Sequence, residues 1–175
     1  MTRAAILIAS LVASCALVSL PGPIAHAATA SFGDPADDVA HGMDVRRVHV
    51  RNEDRFVVTV RHDALQEDGS VGVYIDVTPQ RRRAPDYLVS MNMFDGRWFE
   101  WMSSWGEPGG SIRCPYTTRT NWSRNTTRFS ISRRCLNGAS FEATTVRVSA
   151  VAGVADGPVD WAPGAFAWSQ WVARG

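Results

Sequence analysis

Val45-Arg46-Arg47-Val48-His49-Val50-Arg51 and Arg55-Phe56-Val57-Val58-Thr59-Val60-Arg61 decide the fold. Apolar and polar residues alternate in both runs, the period of a strand buried on one face. The linker Asn52-Glu53-Asp54 makes them a hairpin. A three-residue loop sets Val50 opposite Phe56 and Val48 opposite Val58, with one apolar face for both strands. In that register Asp44 falls opposite His62.

The same period continues downstream. Val71, Val73, Ile75 and Val77 share one face of a third strand. Asp95-Gly96 is the preferred two-residue hairpin turn, joining Tyr87–Phe94 to Arg97–Met102. That turn pairs Met93 with Trp98 and Val89 with Met102. It leaves Phe99 and Trp101 on the opposite face, near Asn92 and Ser90. Further strands are expected around Ile112–Tyr116, Arg128–Arg133 and Thr144–Val151, with a turn at Asn137-Gly138. The tail from Asp156 to Gly175 has no clear period. Seven or eight short strands without helical periodicity predict an all-β fold, a two-sheet antiparallel β-sandwich.

Residues 1–27 read as an export signal. Thr2-Arg3 is followed by an apolar run from Ala4 to Leu20, a Pro21-Gly22-Pro23 break and an Ala25-His26-Ala27 cleavage site. Val12-Ala13-Ser14-Cys15 also fits a lipoprotein box. Lipidation at Cys15 is the minor alternative, because the apolar run continues past it. Residues 28–175 then form one domain, of a length at which about two-thirds of the unfolded surface can be buried. Cys114 and Cys135 remain as the only thiols of a chain bound for an oxidising compartment, so they are expected to pair.

Net charge says little about partners. Removing Arg3 from the 18 basic residues leaves 17, against 17 acidic ones. A neutral domain gives no support to a nucleic-acid or anionic-membrane role. The basic residues are all arginine, a pattern read as codon bias, and Arg81-Arg82-Arg83 reads as a solvated loop.

Two constellations compete with plainer readings. Asp34, Asp38 and Asp44 would supply three carboxylates to a structural Ca²⁺, whereas Asp-Pro clusters also simply make turns. Phe99, Trp101 and Trp105 would offer a stacking platform for a sugar, whereas seven tryptophans also suit a sheet buried on both sides. Catalysis has little to stand on. There is no nucleophile elbow and no paired-histidine zinc motif. A glycosidase pair would have to use Glu100 and Glu107, with Asp76 and the histidines His41, His49 and His62 as the other titratable groups.

Asp34-Pro35-Ala36-Asp37-Asp38-Val39, Asp44-Val45, Tyr74-Ile75-Asp76 and Pro85-Asp86-Tyr87 together resemble the secreted β-sandwich proteins common in actinobacteria. Those are distantly similar in pattern to DOMON domains and family 9 carbohydrate-binding modules, over roughly residues 31 to 172. The resemblance implies acidic loops that hold calcium and aromatics that contact sugar. The heme ligands of some DOMON domains have no counterpart here. The expectation is a secreted, non-catalytic module that binds a glycan or a cell-surface component. A structural or protein-interaction protein of the cell envelope is the first alternative, a hydrolase with a dispersed site the second.

Overall fold

The structure is a computed structural model that describes residues 28–34, 39, 43–79, 84–94, 97–105, 110–138 and 141–175. Residues 1–27, expected to be an export signal, lie outside the described residues with Cys15, as do Asp38, His41, Arg81–Arg83, Asp95-Gly96 and Glu107. The described chain is all-β. Its strands are β1 (Thr29–Gly33), β2 (Val45–Asn52), β3 (Arg55–His62), β4 (Gly69–Asp76), β5 (Tyr87–Phe94), β6 (Arg97–Ser104), β7 (Tyr116–Asn121), β8 (Thr126–Ser132), β9 (Thr145–Val154), β10 (Val159–Ala162) and β11 (Val172–Ala173). They form two antiparallel sheets. The first runs β1-β2-β3-β8-β7, the second β10-β9-β4-β5-β6, with β11 also on β9. Among the described residues no helix is long and apolar enough to cross a membrane.

Alternation fills the space between the sheets. Val48, Val50, Phe56, Val58, Val60, Phe129 and Ile131 come from the first sheet. Val71, Val73, Ile75, Val89, Met102, Val148 and Ala150 come from the second, and all fourteen belong to one buried core. Removing each larger side chain from water contributes about 1.5–3 kcal/mol. The β5–β6 register is the expected one, with Met93 opposite Trp98 and Val89 opposite Met102.

The β2–β3 register differs from expectation by two residues. Val50 lies opposite Val58, and Asn52 opposite Phe56. An even shift leaves every side chain on its expected face. The cause is Asn52, which continues the strand inward instead of starting the loop. It is fully buried, and its Nδ2 donates to the Val172 carbonyl at 2.8 Å. Its Oδ1 accepts from Arg133 Nη1. A register irregularity between Val45 and Arg47 then sets Val45, not Asp44, opposite His62. The Asp63 N–H donates to the Asp44 carbonyl at 2.9 Å. His62 continues the inward series Phe56, Val58 and Val60 of β3 and is 2% exposed.

β7 starts where a strand was expected to end. Pro115 has no N–H to donate, and beyond it Thr117, Arg119 and Asn121 are exposed, so no hydrophobic period marks this edge strand. Asn121 caps a single 3₁₀ turn, Trp122–Arg124, by accepting from Arg124 N, and Asn125 returns the chain in a left-handed conformation at φ 49°. Cys114 and Cys135 form the expected disulfide. They flank β7 and β8, so the bridge closes the open end of that hairpin. In the same way the backbone of Asn52 joins the ends of the described domain. Its N–H donates to Ala28 O at 2.7 Å, and its carbonyl accepts from Gly175 N at 3.0 Å.

Candidate functional site

The second sheet turns Tyr74, Ser149 and Trp161 outward from adjacent strands β4, β9 and β10. Ser149 is small, and the flanking rings meet above it: Tyr74 and Trp161 stack with centroids 5.5 Å apart and planes at 12°. Gly72 makes room beside them, since a Cβ there would lie 2.9 Å from Val151 Cγ1. Trp105 meets the edge of Tyr74 at 5.4 Å, and Phe166 leans on Trp161 at 4.9 Å. Together with Trp168, Ala84 and Pro85 these side chains line a cleft of about 230 Å³. Its size suits a single ring. Ser149 is 3% exposed and its hydroxyl has no hydrogen-bond partner among the described residues.

One wall of the cleft is held by charge. After β10 the tail runs on along the edge of β9, on which β11 also pairs. Ser169 N donates to Val148 O at 2.8 Å, and Val148 N donates back to Ser169 Oγ at 3.0 Å. That path sets Trp168 and Trp171 against Arg147, whose guanidinium carbon lies 4.9 and 4.7 Å from their ring centres. Arg147 in turn donates two hydrogen bonds to Asp76 Oδ2, one at 2.8 Å. Thr78 N donates to Asp76 Oδ1 at 3.0 Å. Burial pushes the Asp76 carboxyl above its ordinary pKa, while the Thr78 N–H and Arg147 pull it back. Asp76 is therefore an anchor for the tail.

Of the three aromatics singled out in the sequence, Trp105 lines the cleft. Phe99 and Trp101 are 50% and 43% exposed on β6, opposite Asn92 and Ser90, and do not line it. Tyr74, Trp161, Phe166 and Trp168 were not anticipated as a site. Their one signal was the aromatic density of the tail.

The acidic constellation is only partly described. Asp34 follows β1 and Asp44 precedes β2, while Asp38 lies outside the described residues. Among the described residues no three His, Cys, Asp or Glu side chains group as metal ligands. Asp44 is buried and pairs with Arg46 Nη1 at 3.4 Å. Nearby, burial lowers the His62 pKa to about 4, against the opposing pull of Asp44. Both ring nitrogens of His62 lack a hydrogen-bond partner among the described residues.

The described titratable groups among those named for hydrolysis stand apart. Glu100 Oε2 accepts from Thr118 N at 3.1 Å at the β6–β7 edge. Asp76 is under the tail, His49 faces out from the first sheet, and His62 lies inside. No protein-family model matches the chain, and no curated protein matches it.

Proposed function

We propose that the chain is a secreted, non-catalytic binding module whose outer β4–β9–β10 face takes a glycan. The observation that carries this reading is the convergence of five aromatic side chains on one cleft of the outer face. A pyranose has an apolar face that stacks on tryptophan and an equatorial rim of hydroxyls. Tyr74, Trp105, Trp161, Phe166 and Trp168 supply the rings. Ligand sites are lined predominantly by such apolar and aromatic side chains. The aromatic wall is also pre-organised, since Arg147 and Asp76 fix the tail that carries Trp168.

Affinity electrophoresis through neutral polysaccharides tests the reading. The native protein should be retarded by at least one polymer, and Trp161→Ala and Trp105→Ala should abolish the effect. Trp101→Ala, outside the cleft, should leave it intact. Migration indifferent to every neutral polymer would remove the proposal.

A further inference from the structure

The near-zero net charge conceals a sharp division between the two sheets. The five strands of the first sheet contain seven arginines and no aspartate or glutamate. Alternation then sorts them. Val48, Val50, Phe56, Val58, Phe129 and Ile131 point into the core, so Arg47, His49, Arg51, Arg55, Arg61, Arg119 and Arg128 point out.

Two of these pairings are costly. Arg47 lies directly opposite Arg61, and Arg119 directly opposite Arg128. Like charges facing each other across strands destabilise a sheet. Arg51 is paired with Glu53 at 3.3 Å, and Arg55 is occupied by Ser130 at 2.7 Å. Arg47, Arg61, Arg119 and Arg128 are exposed, with no carboxylate in ion-pair range among the described residues. At one end Arg46, Arg47, Arg61 and Arg124 border a polar cleft of about 780 Å³, whose one acid among the described residues, Asp63, accepts from Arg46 Nε at 3.3 Å.

We propose that this face binds a linear acidic polysaccharide. The free guanidinium groups span four strands, about 14 Å at ordinary strand spacing, too far for one small anion to bridge. Guanidinium forks match carboxylate and sulfate groups. Between them the same face presents Ser31, Thr59, Thr117 and Thr126, hydroxyls suited to a sugar chain. No Phe, Tyr or Trp side chain stands at an outward position of these five strands, and the imidazole of His49 is the one ring there. Single-stranded nucleic acids are bound by charge together with stacking rings, so a polysaccharide fits this face better. The site is on the opposite sheet from the aromatic cleft and does not depend on it.

Gel retardation with polygalacturonate decides the matter, with neutral dextran and an oligothymidylate as parallel probes. Polygalacturonate should retard the protein at about 0.01 M salt, where charges act over roughly 30 Å, and not at about 1 M. Arg47→Ser with Arg61→Ser, and separately Arg119→Thr with Arg128→Thr, should each weaken retardation about tenfold. Both double variants should melt no lower than the native protein, because each relieves a like-charge pair. Trp161→Ala should bind polygalacturonate normally. Absence of retardation, retention by folded variants of both pairs, or equal binding of oligothymidylate would overturn the proposal.

Discussion

Asn52 and Arg133, 81 residues apart in the chain, share a hydrogen bond inside the sandwich. Arg133 is 8% exposed, and its Nη2 also donates to the Ala143 carbonyl. Burial, and next the nearby Arg174, lower the Arg133 pKa, while Glu142 opposes them. A buried cation held by neutral acceptors depends on each of them. Asn52→Ala should therefore cost about 2–4 kcal/mol, and Asn52→Leu no less. Urea melts measure this, and a loss below about 0.5 kcal/mol, the scatter of surface substitutions, would contradict it.

Arg147→Ala should be harsher than an ordinary surface change, because Asp76 is fully buried beneath it. Leaving one member of a buried pair alone costs about 3–5 kcal/mol. Trp168 and Trp171 would lose the cation between them, so the emission of the folded variant should shift to the red. Unchanged fluorescence together with unchanged stability would show that the tail is held by other contacts.

Replacing both Cys114 and Cys135 by serine should lower stability by about 3 kcal/mol, the chain-entropy value for a loop of this size. The sequence separation is 21 residues. Hydrogen exchange should accelerate first in β7 and β8, whose open end the bridge closes. Melting unaffected by reductant would refute the assignment.

His62 should make the fold sensitive to mild acid. Its folded-state pKa, about 4, lies below the ordinary 6.5. The unfolded chain therefore takes up the proton first. The contribution is complete above pH 6.5 and is lost as pH falls towards 4, about 3 kcal/mol in all. His62→Leu should flatten that part of the profile in denaturant melts at pH 7 and pH 5. Parallel profiles for the two proteins would refute it.

The strand faces were legible because period-two alternation survives any even slip. Val48, Val58, Val73 and Ile75 share one interior, although the β2–β3 register moved by two. The register itself was not legible, because Asn52 reads as a turn residue until Val172 and Arg133, far along the chain, satisfy it. β7 escaped notice because its polar alternation carries no hydrophobic signal. The aromatic cleft was hidden for a similar reason. Tyr74, Trp105 and Trp161 come from separate parts of the chain, and only the β4–β9–β10 pairing makes them neighbours. Counting charges likewise misses the arginine face, since the balance holds for the whole and fails for the strands of the first sheet.

Ala28 and Gly175 meet beside Asn52. A few glycines would suffice to splice them, making a circular permutant with new ends at Glu53-Asp54 geometrically feasible. Any tether fused to Ala28 or to Gly175 would therefore leave from the same corner of the sandwich.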